Sequence, residues 1–144
     1  MRRFRYVNHT ADIEFRSYGS SLEAAIKNSF LALFDTIAYT KRLSKSEGVK
    51  RTVAVKVSAD NIEELIWKAL QAVVSIGDAR GLLFFDARPK LVNSKKGKLS
   101  LRAELIGKAE KSEYAKFYVK GVSRFNLSVI HNHDKFVIDV VVDV

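Results

Sequence analysis

Phe136-Val137-Ile138-Asp139-Val140-Val141-Val142-Asp143-Val144 is a stretch of mostly β-branched chain whose alternation decides how the rest is read. Successive side chains on a strand point to opposite faces. Phe136, Ile138, Val140 and Val142 therefore share one wholly apolar face, while Val137, Asp139, Val141 and Asp143 share the other. A strand with an apolar face needs a second layer to bury it against. The spacing predicts a strand over 136–142, entered through a turn at His131-Asn132-His133-Asp134.

Working back from that strand, the chain reads as an antiparallel meander. Strands are expected over 125–130 and 114–122. Before them, Asn93-Ser94-Lys95-Lys96-Gly97-Lys98 makes a turn ahead of the alternation at Leu99, Leu101, Ala103 and Leu105. Another strand is expected over 82–85, and Pro89 belongs in a loop or at a sheet edge. Val53, Val55 and Val57 alternate as a further strand. Short strands over 3–7 and 13–18 open the chain.

Two stretches carry helical spacing instead. From Leu22 the apolar residues fall at Ala25, Ile26, Phe30, Leu33, Phe34 and Ile37, with Ser20 and Glu23 placed as a capping box. The second stripe is Ile62, Leu65, Ile66, Ala69, Leu70, Val73 and Val74, capped by Asp60. The polar stretch 41–48 reads as a loop. The expectation is an α+β single domain over 1–144, with two amphipathic helices packed on a mixed, mostly antiparallel sheet.

Composition narrows the class. The 144 residues carry 25 Lys and Arg against 16 Asp and Glu, a formal charge of +9, and no cysteine. Disulfides and thiolate metal sites are thereby excluded, and soft metals disfavoured. No apolar run approaches the roughly 20 residues that cross a membrane. With no apolar signal region behind Met1-Arg2-Arg3-Phe4, we read the chain as cytoplasmic, without a membrane partner. The basic balance favours nucleic acid or an acidic surface as a partner. The densest cations are Lys41-Arg42 with Lys45, Lys50-Arg51, and Lys95-Lys96 with Lys98, none interleaved with a stacking platform.

Chemistry concentrates at His9-Thr10-Ala11-Asp12 and at Asp143-Val144. Hard cations such as calcium need several anionic oxygens converging from different parts of a fold. Asp12, Asp143 and the α-carboxylate of Val144 supply three if the first and last strands are neighbours. Held close, these charges repel unless solvated or bridged by a cation. A turn-capping Asp12 and a frayed, solvated end are the competing readings. His9 reads as a supporting partner or weak base, or more simply as a satisfied hydrogen-bonding residue beside a strand. Elsewhere, His131, His133 and Asp134 form a second metal-like cluster, more simply a polar hairpin turn. Asp35 opposes the dipole late in its helix and needs a compensating cation or contact. Lys120 reads as a phosphate or carboxylate contact or, more simply, as an ordinary exposed lysine. No nucleophile elbow, phosphate-binding glycine loop, paired-His metalloprotease helix or dinucleotide fingerprint is present, so an enzyme is not the leading reading.

His9-Thr10-Ala11-Asp12, followed by an aromatic-rich strand and a capped helix running into Leu33-Phe34-Asp35, resembles the opening of the archease family. Val122-Ser123 after Lys120 resembles that family's Lys-Ala-Val-Thr segment, and Val142-Asp143-Val144 its terminal strand. The resemblance implies a compact α+β accessory protein of tRNA splicing that promotes guanylylation and turnover of an RtcB-type RNA ligase. It also implies a divalent metal, calcium with magnesium as the alternative, on Asp12, Asp143 and Val144. The chain departs from the family pattern at Ala69 and Ala72, at Arg124-Phe125 and in its +9 charge, which bear on the ligase-facing surface. The alternative is a basic RNA-binding module without a ligase-activating role, marked by tRNA affinity that falls steeply with salt. A metal-dependent hydrolase using the same carboxylates ranks last. For an activator, contact with tRNA would be weak or indirect.

Overall fold

The computed structural model describes residues 2–7, 12–93 and 96–144. Two antiparallel sheets carry the strands. In the first, β1 (Phe4–Val7) pairs with β2 (Ile13–Gly19), and β2 with the long strand β8 (Lys135–Asp143). On the far side of β8 lie β6 (Gly121–Val122) and β7 (Ser128–Asn132). The second sheet runs β3-β5-β4, from β3 (Arg51–Ala59), β5 (Leu99–Ala109) and β4 (Leu82–Asn93).

The alternation in β8 is realised as its sequence demands. Ile138, Val140 and Val142 are fully buried beside Phe15 of β2. Two long helices supply the layer that covers them, α1 (Leu22–Ile37) and α3 (Ile62–Arg80). Helix α1 packs on β2 and β8 of the first sheet and β4 of the second, while α3 packs on β3, β5 and β6. One apolar core thus joins both sheets, with Phe15, Phe30, Phe34, Leu65, Ile66 and Leu105 withdrawn from water. Each such side chain contributes roughly 1.5–3 kcal/mol relative to an exposed one. Gly19 permits the start of α1 to dock on β2, because a Cβ there would overlap the Ala25 backbone.

Both expected helices exist, but their caps sit one residue later. Ser21, not Ser20, caps α1 by accepting the Ala24 amide at 3.1 Å. Asn61, not Asp60, caps α3 through the Glu64 amide at 2.8 Å. The capping oxygen must stand on the residue just before the first helical one. Glu23 is released from the expected capping box and accepts the Leu91 amide at 3.0 Å, tying α1 to β4.

Four further elements differ from the sequence reading. The polar stretch 41–48 contains a short helix, α2 (Thr40–Lys45), anchored by the buried Leu43 against Ala38 and Leu83. Buried Lys108 donates to the carbonyls of Ser44 at 3.1 Å and Ser46 at 2.7 Å, satisfying the end of that helix. The stretch 114–122 is not one strand. After a 3-10 turn at Ser112–Tyr114, Lys116 and Phe117 give their amides to the carbonyls of Ile37 and Thr36 at the end of α1. Only Gly121 and Val122 pair with β8. Strand β7 begins at Ser128, leaving Arg124-Phe125 in the connection. Strand β4 runs on to Asn93, with Pro89 inside it on the sheet edge, where its missing N–H is tolerated. Among the described residues every strand pairing is antiparallel, and the strands fall in two sheets where one mixed, mostly antiparallel sheet was expected. No helix among the described residues is long and apolar enough to cross a membrane.

Candidate functional site

The β2–β8 ladder closes with Ile13 opposite Val142. Asp12 directly precedes that pair and Asp143 directly follows it, so the register carries both carboxylates to the same end of the first sheet. On the other flank of β8, Gly121 lies opposite Asp143, and the Lys120 amide donates to the Asp143 carbonyl at 2.8 Å. Asp143 is exposed, Asp12 half-buried, and Val144 packs partly against the core. Among the described residues neither aspartate side chain has an ion pair or hydrogen bond. The expected neighbours were the first and last strands, but it is the second strand, β2, that pairs with β8, and β1 pairs with β2. His9, with Thr10 and Ala11, lies outside the described residues.

Helix α3 fixes the neighbouring strand by a clamp that the sequence did not signal. The Trp67 indole N–H donates to the Val122 carbonyl at 2.8 Å, and the Gln71 side-chain oxygen accepts the Val122 amide at 2.9 Å. Both backbone groups of Val122 are thereby held from the α3 side, while the Ser123 amide reaches Val141 at 2.9 Å. Arg124 lies 5.0 Å from the Trp67 ring centre and 3.2 Å from Glu64. Trp67 is the single tryptophan, its one available sequence signal. Phe125 beside Arg124 is 95% exposed, and Ala69 is core.

Asp12 also lines a cavity of about 270 Å³ with Tyr6, Thr36, Lys116 and Phe117. The Tyr6 hydroxyl donates to Asp35 Oδ2 at 2.7 Å and lies 3.4 Å from Thr36 Oγ1. Although Tyr6 is 44% exposed overall, its hydroxyl end is turned inward. Burial of that end, reinforced by the Asp35 carboxylate, raises its pKa well above an ordinary phenol. Lys116 Nζ is 3.8 Å from Asp35 and 5.3 Å from the Tyr39 ring centre. Asp35 therefore has the cation and the contact that its place in α1 requires.

The histidine turn has another use. His131 stacks on Phe136 with ring centres 4.0 Å apart and planes 8° from parallel. His133 takes a positive φ of 58° in a two-residue turn between β7 and β8. Among the described residues, no three or more His, Asp or Glu side chains gather as a metal site. At the end of β8 the structure brings the main chain of Asp12 and Asp143 to one end of the sheet, beside Val144. Carboxylates are hard oxygen donors of the kind that calcium and magnesium accept, the remaining positions falling to water or to a partner.

The archease protein family model matches residues 4–144. The protein archease of Pyrococcus furiosus is 35% identical over 107 residues, covering 74% of this chain and 72% of the relative. That of Archaeoglobus fulgidus is 27% identical over 143 residues, covering 99% of each. The solution structure of Methanobacterium thermoautotrophicum protein 1598 superimposes with a TM-score of 0.81 at 23% identity, covering both chains fully. A crystal structure of an archease from Thermotoga maritima gives a TM-score of 0.61 at 14% identity, covering 100% of this chain and 98% of that one. The chain belongs to the archease family.

Proposed function

We propose that this chain is a non-enzymatic accessory protein of tRNA splicing that promotes guanylylation and turnover of an RtcB-type RNA ligase. It acts through a divalent cation, calcium or magnesium, held by Asp12, Asp143 and the α-carboxylate of Val144. The observation that carries this reading is the β2–β8 register, which leads Asp12 and Asp143 to one end of the sheet. Family membership supports the accessory role.

The cation, when bound, supplies concentrated positive charge to a reaction that handles a nucleoside triphosphate. The chain's own residues do the rest. Asp12 and Asp143 present anionic oxygens from adjacent strands, and Lys120 and Gly121 brace Asp143 through the main chain. Trp67 and Gln71 hold that brace to α3. The exposed Phe125, in the connection that follows β6, gives a partner an apolar contact.

The test is ligase turnover on broken tRNA with GTP, with and without this protein. The intact chain is expected to raise turnover and Asp12→Ala to abolish the rise. No stimulation by the intact chain would sink the proposal.

A further inference from the structure

The outer face of the second sheet carries an unusual row of charge. Arg102, on the central strand β5, lies directly opposite Lys56 of β3 on one side and Lys90 of β4 on the other. Arg88 stands in the neighbouring row, opposite the carboxylate Glu104, and Asp86 follows on the same face in the row beyond, opposite Ile106. Lys56, Lys90, Arg102, Arg88 and Glu104 are exposed. Their strand neighbours Val55, Leu101, Ala103 and Ala87 point the other way, into the core beneath α1 and α3. Helix α2 reaches this sheet near its far end, at Lys108 and Leu83.

Residues directly opposite on neighbouring strands hold their Cβ atoms about 4.5–5.5 Å apart, and like charges so placed destabilise a sheet. None of Lys56, Lys90, Arg88 and Arg102 is in an ion pair among the described residues. The row thus weakens the fold and has no partner within it. From this we infer that the outer face of β3-β5-β4 binds the phosphodiester backbone of nucleic acid.

Two observations favour that partner over an acidic protein. The patch has no aromatic or large apolar anchor among its rows, whereas protein interfaces concentrate such anchors at their core and are depleted in lysine. The chain as a whole is +9, so a polyanion is drawn to it from any side. Without stacking rings or base-reading side chains, the contact is with phosphates and is indifferent to sequence. The surface goes beyond the ligase-activating role and does not depend on it, because it lies on the other sheet from Asp12 and Asp143.

The test is filter binding of tRNA by this chain alone, without ligase or metal, over a salt series. Four phosphate contacts give a log–log salt slope of about −3, or roughly a 60-fold loss of affinity on quadrupling the salt. The variant Lys56→Gln/Lys90→Gln/Arg102→Gln keeps one contact. Its slope falls to about −0.8, roughly a threefold loss over the same range. A control, Arg3→Gln/Lys27→Gln/Lys135→Gln, removes equal charge elsewhere and is expected to bind like the intact chain. The row variant should melt no lower than the intact chain, since a repulsion has been removed, so a loss of binding is not a loss of fold. The inference is overturned if the intact chain shows no salt-dependent binding or if the row variant keeps the full slope. It is equally overturned if both triple variants weaken alike, or if polyglutamate binds more tightly than tRNA. Ligase stimulation is read separately, so either idea can fail alone.

Discussion

Replacing Gln71 by alanine removes the acceptor of the Val122 amide. Val122 is 7% exposed, so that N–H is left without protein or ready solvent. An unpaired buried donor costs about 1–3 kcal/mol. Trp67→Phe keeps most of the ring but loses the indole bond to the Val122 carbonyl. A carbonyl tolerates a lost partner better, so about 0.5–1.5 kcal/mol is expected there. For a chain of this length each kcal/mol lowers the melting temperature by about 3–5 °C. The two substitutions act on the two backbone groups of one residue, so the double variant should lose less than the sum. Urea melts give the totals, and amide hydrogen exchange gives the place. The Lys120 and Ser123 amides, bonded to Asp143 and Val141, should exchange faster in Gln71→Ala, while amides of β5 stay protected. A loss below about 0.3 kcal/mol, or unchanged protection at Lys120 and Ser123, would refute the clamp.

Other outcomes follow from the same packing. Phe15→Ala empties a fully buried position between β2 and α1 and should cost about 3–5 kcal/mol in a denaturant melt. The raised pKa of Tyr6 means that the folded chain keeps a proton which the unfolded chain releases above its ordinary value of 10.0. Its contribution is therefore complete below pH 10 and fades as pH rises further, so Tyr6→Phe should flatten the alkaline fall in stability. Lys108→Met removes the donor to the carbonyls of Ser44 and Ser46 and should speed exchange and proteolysis around α2, with little effect at the end of β8.

The sheet and the two long helices were legible because each rests on a long, regular pattern: the alternation of 136–142, and the stripes ending at Ile37 and Val74. Helix α2 was hidden because one buried residue, Leu43, anchors it and the distant Lys108 completes it. The stretch 114–122 looked like a strand because its side chains suit one, yet the amides of Lys116 and Phe117 are taken by the carbonyls of Ile37 and Thr36. Periodicity cannot report where a hydrogen bond goes. The caps slipped by one residue because Ser20 and Ser21, like Asp60 and Asn61, are adjacent capping types. At the candidate site, Asp12 and Asp143 were readable from their places in the chain. Tyr6, Lys116, Gln71 and Trp67 were not, since each reaches the site by tertiary contact alone. The basic row was invisible for the same reason: Lys56, Lys90 and Arg102 are far apart in sequence and become neighbours only through two ladders.

A divalent cation held at the end of the β2–β8 ladder must show itself in solution as binding. Calorimetric titration with calcium, and then magnesium, on the intact chain, on Asp12→Asn and on a chain extended by several residues after Val144 tests it most directly. Saturable binding by the intact chain is expected, with a rise in melting temperature worth about 2.7 kcal/mol at a hundredfold excess over Kd. Both altered chains are expected to bind at least tenfold more weakly. Equal binding by all three, or none by the intact chain, would contradict that cation site.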